Sequence, residues 1–440
     1  MPRFRVVEII FSVYSTTTLK MAGGLMQLVA YGAQDVYLTG NPEVTFYQAK
    51  YKRHTNFAME NIEQTLNGNP SDSGRVSVTI ARNGDLVGDM YVELKTAASG
   101  VAGRSPFWAA ERAITSVELS IGGQRVDKQY QKWWRLYSEL YLDEAKKAVY
   151  GKMTSAGAAS QVFLPLLFFF NRNPGLYLPL IALQYHEVRV DFDLSGTFET
   201  HLDKNVFKVW ANYIYLDTEE RRRFAQKGHE YLIEQTQHTG VDTVDGTTGG
   251  TKQIRLSYNH PVKELVWCLS GTAVKDHWHF GKGSGDGTTF PQLAIGPADT
   301  TTTVGAQNLP ISAATGAPVC ATGGAAAVAW TEESEGAMTE FKLVLNGQDR
   351  FKGQTGKYFN QVQPFQHHTG CPFPGIYSYS FALKPEEHQP TGSCNFSRID
   401  NAQVAITTAA TSDATNLHMF ATNYNVLRIQ SGMGGLAFSN

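Results

Sequence analysis

Ser120-Ile-Gly-Gly-Gln-Arg-Val-Asp-Lys128 in the first half of the chain has a counterpart in the second half, Val344-Leu-Asn-Gly-Gln-Asp-Arg-Phe-Lys352. Each stretch follows a segment in which apolar and polar residues alternate, the pattern of a β-strand with one buried face. A repeat as long as a whole domain predicts two similar β-domains in tandem, because solenoids repeat every 20–50 residues or so.

Other landmarks recur in the same order in both halves. Each half opens on a strand–turn–strand pattern, over residues 76–94 and 254–269, and closes on an Asn-Tyr pair in an apolar strand, at Asn212 and Asn423. In the first half, Asn83-Gly84 between two alternating segments predicts a β-hairpin. The main helix is predicted over residues 127–150, where bulky apolar residues recur at helical spacing.

The composition favours a β-protein with covered surfaces. Charged residues make up 18% of the 440 residues, below the ~25% usual for soluble domains. Much of the surface is therefore expected to be neutral or covered by partners. With a net charge of −2, the chain lacks the excess of basic residues expected of a protein that wraps nucleic acid.

The order of these patterns predicts four parts. Residues 1–20 are an extension outside the fold, with a functional start at Met21, and residues 21–44 form an N-terminal arm. Residues 45–218 and 219–440 form two antiparallel sandwiches or barrels, with helices only as loop excursions. Residues 270–339, rich in Gly, Thr and Ala, are expected to be a long surface loop of the second domain.

No combination of residues predicts catalysis, a metal site or a cofactor site. His186-Glu187 begins like a zinc-protease helix, but Val190 stands where the second histidine is needed. The other candidates also lack the partners that their chemistry requires: His277 and His279, His367-His368, and the glycine-rich residues 281–287, which lack the Lys-Ser/Thr ending of a phosphate-binding loop. We therefore predict a protein that is not an enzyme.

The four cysteines form no closely spaced pair, which favours free thiols in a reducing compartment. A zinc site or a single disulfide is the alternative for Cys268, Cys320, Cys371 and Cys394.

Two surface features are retained as candidate sites. The mixed-charge run Glu219, Glu220, Arg221, Arg222, Arg223 lies between the halves, and an interdomain or intersubunit ion-pair cluster is favoured over a phosphate contact. Asn395 begins the sequence's N-x-Ser/Thr glycosylation motif in an apparent strand, and an unmodified side chain is the default expectation.

Segments along nearly the whole chain resemble one protein family. They include Met21-Ala-Gly-Gly-Leu-Met-Gln27, Arg53-His-Thr-Asn-Phe57, Pro179-Leu-Ile-Ala-Leu-Gln-Tyr-His-Glu187, Asn395-Phe-Ser-Arg-Ile-Asp-Asn401 and Gly432-Met-Gly-Gly435. In this order they are similar to the major capsid proteins of nucleocytoplasmic large DNA viruses, above all those of algal viruses, the phycodnaviruses. Residues 1–20 and the long loop depart from the family pattern.

This resemblance implies an all-β double jelly roll, two tandem eight-stranded barrels with short helical excursions. It also implies a late structural protein of the virion, assembled in the host cytoplasm as a homotrimer. Such trimers form pseudo-hexagonal capsomers of an icosahedral shell, next to neighbouring capsomers and minor capsid proteins and above an internal viral membrane. Direct nucleic-acid binding is not expected. The alternative is a carbohydrate-binding or cupin-like jelly-roll protein, which needs a His/Glu cluster or an aromatic platform in one barrel.

Overall fold

A computed structural model describes residues 23–97, 108–155, 159–244, 248–271, 336–370, 372, 375–410 and 414–438. The chain divides into two compact units, Met1–His54 and Thr55–Asn440. In the first unit, helices α1 (Gly23–Val29) and α2 (Val36–Thr39) bury no side chain. The predicted extension over residues 1–20 lies outside the described residues, as does nearly all of the predicted loop over residues 270–339.

The described residues in the first half of the second unit form ten strands in two antiparallel sheets. Sheet A has the order β1-β10-β4-β7, with β8 paired to β4, and sheet B has the order β2-β3-β9-β5-β6. The strands are β1 Phe57–Gln64, β2 Leu66–Asn67, β3 Arg75–Thr79, β4 Leu86–Thr96, β5 Ile114–Ile121, β6 Gln124–Tyr130, β7 Gln161–Pro165, β8 Leu178–Pro179, β9 Val188–Leu194 and β10 Leu202–Leu216.

The second half repeats this plan. Sheet C has the order β11-β20-β13-β17, with β18 on β13 and β21 on β20, and sheet D has the order β12-β19-β14-β15, with β16 on β14. The strands are β11 His229–Thr243, β12 Gly250–Leu256, β13 Pro261–Gly271, β14 Met338–Leu345, β15 Gln348–Asp349, β16 Gln354–Thr355, β17 Ile376–Ser380, β18 Cys394–Asn395, β19 Ala402–Thr408, β20 Ala414–Gln430 and β21 Met433–Leu436.

The main strands of sheet A therefore correspond in order to those of sheet C, and those of sheet B to those of sheet D, whereas the short strands β2, β16 and β21 have no counterpart. Each pair of sheets encloses one apolar core, as expected of a jelly roll. The helices lie in the connections: α3 Ala109–Ala113, α4 Gln131–Leu140, α5 Glu144–Thr154, α6 Phe169–Arg172, α7 Phe198–His201, α8 Thr218–Gln226, a π-helical turn Tyr358–Val362 and α9 Gln363–His367. The double jelly roll predicted from the sequence is confirmed.

The two stretches that reveal the repeat form equivalent hairpins. Both central residues have positive φ in each turn, +57° and +83° at Gly122 and Gly123, and +50° and +80° at Asn346 and Gly347. A two-residue turn of this kind is type I′, whose twist matches that of the flanking strands. The turns join β5 to β6 and β14 to β15. The predicted equivalence of the two turns is confirmed.

The hairpin predicted at Asn83-Gly84 is wrong. Strands β3 and β4 lie in different sheets, so the segment between them crosses from sheet B to sheet A. Gly84 is closely packed, because a Cβ there would lie 3.0 Å from the Tyr213 Cβ and Tyr213 would have to shift to accommodate it. Asp85 fixes the crossing by accepting a 2.9 Å hydrogen bond from the Leu216 amide. A short Asn-Gly connection cannot by itself distinguish a hairpin from a crossing.

The prediction for residues 127–150 is correct in type and wrong in extent. Residues 127–130 complete β6, and two helices, α4 and α5, follow it. Asp143 separates them, because it caps α5 by accepting a hydrogen bond from the Glu144 amide. The apolar stretch that follows these helices forms β7, α6 and the two-residue β8.

Candidate assembly surfaces

The two jelly rolls are joined by an aromatic contact. Helix α4 of the first jelly roll lies against the outer face of sheet C, and the ring centroids of Trp133 and Phe420 are 5.6 Å apart. Tyr130, just before the helix, lies 6.0 Å from Phe420 and 4.9 Å from His238. Trp133, Tyr137 and Tyr141 follow one another at i, i+4 spacing and therefore form one stripe on the helix. We call this contact the junction.

The outer face of sheet C is apolar where α4 covers it. Val266 and Cys268 on β13, Ile376 on β17 and Phe420 on β20 are at most 1% exposed, and they share a continuous cluster with the core of the first jelly roll. Their neighbour Trp267 points the other way and stacks on Phe341 in the second core. Sheet C thus buries both of its faces, although alternation alone would leave one face to solvent.

Buried ion pairs hold α4 in place. Arg135 on α4 lies 3.7 Å from Glu111 on α3 and forms a tighter pair with Glu139. Lys147 on α5 approaches Glu139 to 2.9 Å, and Tyr150 donates a 2.7 Å hydrogen bond to Glu111. These side chains are nearly unexposed, so losing one partner would leave a buried charge uncompensated.

Hydrogen bonds also tie the hairpin strand β6 to β11. The Asp127 carboxylate accepts a 3.1 Å hydrogen bond from the Thr236 amide, and Gln235 donates to the Val126 carbonyl. Burial raises the pKa of Asp127 to about 6, although the Thr236 amide opposes this shift by stabilising the carboxylate. The repeated Gly-Gln hairpin therefore also positions an interdomain contact.

Beside the aromatic contact lies a buried charge cluster centred on Glu234. Its carboxylate is 2.6 Å from Lys263 within the second jelly roll and 3.1 Å from Arg172 of the first. Burial alone would raise the pKa of Glu234, but the two cations outweigh it and lower the pKa. His388 lies 3.9 Å from the same carboxylate.

A second carboxylate, Glu264, is also shared across the junction. It accepts short hydrogen bonds from Tyr141 of the first jelly roll and from His368 of the second. The other ring nitrogen of His368 lies 3.4 Å from Glu386. Burial disfavours the charged ring, but the two carboxylates, Glu264 foremost, outweigh it and raise the pKa of His368 to about 9. His368 is therefore a cation at neutral pH.

Sequence reasoning missed these buried charges. The one available signal was Lys263-Glu264 in the otherwise apolar segment of β13, because a charged pair inside a buried strand requires partners. The partners, Arg172, Glu234 and His368, are distant along the chain. Only the fold brings them together.

The predicted charge run lies elsewhere. Glu219, Glu220, Arg221, Arg222 and Arg223 belong to α8, a helix with no buried residue between β10 and β11. Arg221 lies 2.9 Å from Asp85, at the crossing from sheet B to sheet A. The cluster thus ties the connecting helix to the first jelly roll, and its role between domains or subunits stays a prediction.

Asn395 ends the short strand β18 and is exposed. Its side chain accepts a 3.0 Å hydrogen bond from the Ser397 amide, which starts a 3₁₀ turn over Phe396–Arg398. The motif thus lies at a turn rather than inside a strand. Whether it is modified stays a prediction.

The other sequence candidates take part in structural contacts. His186 lies 2.9 Å from the Gly434 carbonyl oxygen, and His367 lies 2.9 Å from that of Leu383. Cys268 and Cys394 are free thiols. Several candidates lie outside the described residues: His277, His279, residues 281–287, Cys320 and Cys371. Within the described ranges, no three His, Cys, Asp or Glu side chains are grouped to hold a metal ion.

No helix in the described part of the chain has the length and apolar character needed to cross a membrane.

Two family models match consecutive parts of the chain. The major capsid protein N-terminus model matches residues 45–217, and the large eukaryotic DNA virus major capsid protein model matches residues 220–435. The boundary between the two matches falls at the start of α8.

Relatives match over their whole length. The chain is 43% identical to the major capsid protein of Paramecium bursaria Chlorella virus 1 and 42% identical to that of Pyramimonas orientalis virus, in each case over 96% of this chain and all of the relative. Among solved structures, a quasi-atomic model of the PBCV-1 virus capsid is similar, with a TM-score of 0.73, 38% identity, and coverage of 90% of this chain and all of that one. The Faustovirus major capsid protein, 13% identical with a TM-score of 0.66, shares the fold over 92% of this chain and 96% of its own.

Proposed function

The chain belongs to the family of large eukaryotic DNA virus major capsid proteins, and on that premise we propose that it is a non-enzymatic subunit that forms homotrimers. These trimers are the pseudo-hexagonal capsomers of an icosahedral shell. The carbohydrate-binding or cupin-like alternative is not favoured, since the full-length relatives are capsid proteins.

The observation that supports trimerisation is a difference between two equivalent sheets. The outer face of sheet C is buried beneath α4, with Val266 and Phe420 at most 1% exposed. The outer face of sheet A is open: Met59 on its edge strand is 54% exposed, and Tyr91 and Trp210 are half-buried. A partly exposed aromatic face on a single chain is typical of a surface that becomes buried when chains assemble.

Three copies are the number that completes the arrangement. The two jelly rolls of one chain already meet head to tail, and repeating that type of contact between chains makes a closed ring. Three chains supply six similar lobes, which suits a hexagonal lattice. A permanent interface of this kind is expected to bury more than about 1,600 Å².

The wider setting follows from the family. We propose that the capsomers contact one another and minor capsid proteins above an internal viral membrane, and that assembly occurs in the host cytoplasm. The net charge of −2 is consistent with a shell that does not bind nucleic acid directly. We also propose the domain limits 45–218 and 219–440, with residues 21–44 as an arm.

Light scattering of the purified protein tests the proposal. We expect the mass of three chains at both low and high salt, because an apolar contact survives when the screening length falls to about 3 Å at 1 M salt. Electron microscopy of the same sample is expected to show hexagonal particles. A monomer at both salt concentrations contradicts trimerisation.

A further inference from the structure

We propose that residues 358–367 of one copy dock on the outer face of sheet A of the next copy. This contact repeats between chains the contact that α4 makes with sheet C inside one chain. The inference rests on the proposed function, because it names the surfaces through which the trimer forms.

The docking segment is the counterpart of α4. Helix α4 follows the hairpin strand β6 along the chain and precedes β7, which ends the spatial order of sheet A. Residues 358–367 follow β15 and β16 along the chain and precede β17, which ends the spatial order of sheet C. Since sheets A and C correspond, each jelly roll carries a helical excursion at this position and an outer sheet face, and among the described residues of one chain only α4 and sheet C meet in this way.

The segment presents an apolar surface to solvent. Phe365 is 89% exposed and Val362 is 40% exposed, and their spacing of three residues places them on one side of the helical turn. Phe359 and Pro364 of the same segment are buried and anchor it to the second jelly roll. An exposed phenylalanine held on an anchored helix resembles the anchors found at protein interfaces.

The receiving face carries three aromatic rings. Trp210 on β10 stacks beside Tyr91 on β4 at 6.4 Å, and Phe163 on β7 meets Tyr91 edge-on at 5.9 Å. Beneath them, Glu93 accepts hydrogen bonds from the Trp210 indole at 2.8 Å and from the Gln161 amide at 2.9 Å. The bond to the indole holds the Trp210 ring in place, so this ring has little side-chain freedom left to lose on docking.

The charges of the two surfaces are complementary. Residues 356–367 contain Lys357 and His367 and no Asp or Glu. The receiving face carries Glu93, and Glu63 lies opposite Trp210 in the pairing of β1 with β10. Lys208 offsets part of this charge through a 3.6 Å pair with Glu63. A weakly basic segment is therefore favoured over an acidic partner on this face.

For a mixture of two variants, a head-to-tail contact is expected to give a different assembly from a two-fold contact. Phe365→Asp disables the docking segment, and Phe163→Asp disables the receiving face. Each variant alone has no working contact. In an equimolar mixture, the intact segment of one variant meets the intact face of the other, which gives one contact and a pair of chains that cannot close into a ring.

Sedimentation velocity of the single variants and of their mixture tests this. We expect Phe365→Asp to raise the concentration for half-assembly at least about 30-fold, the effect of losing a typical aromatic anchor. The mixture is expected to show the mass of two chains. Phe438→Asp, at a residue that is 60% exposed and outside both surfaces, is the matched control and should keep the mass of three chains.

Folding of each variant is checked by thermal unfolding, and Met59→Asp at the exposed edge of sheet A replaces Phe163→Asp if the latter unfolds. If Phe365→Asp forms a trimer as stable as that of the wild type, the docking inference is overturned while trimerisation stands. A mixture of folded variants that stays monomeric also overturns it. A monomeric wild type overturns the proposed function as well.

Discussion

The carboxylate of Glu264 and the imidazole of His368 are hydrogen-bonded to each other with both side chains fully buried. Tyr141 of the first jelly roll donates to the same carboxylate, so this pair belongs to the junction as well as to the second jelly roll. A charged pair removed from water depends on each partner, and it links the stability of the junction to pH.

The junction is expected to weaken in alkali. Since the pKa of His368 is raised to about 9 from an unfolded value near 6.5, its contribution is complete below about pH 6.5 and is lost as the pH rises through about 9. The contribution is at most about 3 kcal/mol. Urea unfolding from pH 6 to 10 measures it. His368→Gln should flatten the profile in this range, whereas His367→Gln, at the half-exposed neighbour, should leave it unchanged.

Removing the centre of the buried charge cluster is expected to be costly. Glu234→Gln leaves Arg172 and Lys263 without their counter-charge and should lower the free energy of unfolding by about 3–5 kcal/mol. Glu230 lies on the same strand as Glu234, and its exposed carboxylate is 2.9 Å from Arg428 on the neighbouring strand β20. Glu230→Gln should therefore cost no more than about 1 kcal/mol. Equal losses in chemical denaturation would show that burial does not set the strength of these pairs.

The two hairpins are expected to respond alike to loss of glycine. Gly123→Ala and Gly347→Ala meet no steric obstacle, so their cost comes from positive φ alone and should be about 1 kcal/mol in each case. Gly250→Ala is a suitable control, because that glycine also has open space but lacks positive φ. Thermal unfolding of the three variants measures the difference.

The aromatic contact at the junction is expected to couple its two partners. Trp133→Ala and Phe420→Ala remove rings 5.6 Å apart on different jelly rolls. A double-mutant cycle should give a coupling energy of about 0.5–1.5 kcal/mol, since this is typical of paired aromatic rings. Additive losses would indicate that the helix and the sheet contribute independently.

The sequence by itself determined the duplicated plan, because alternation and turn chemistry are local properties. The Gly-Gln hairpins were predictable, since two adjacent residues that tolerate positive φ between alternating strands specify a type I′ turn. The all-β class, the helical excursion after β6 and the family could likewise be predicted from residues that are close together along the chain.

Only the tertiary structure decided which strands pair and which faces are buried. The segments around Asn83-Gly84 look like a hairpin, yet β3 and β4 enter different sheets because sheet choice depends on partners more than a hundred residues away. The junction was hidden for the same reason. Whether Val266 faces solvent or helix α4 is not a property of β13, and Glu234 meets Arg172 only because two complete domains pack against each other.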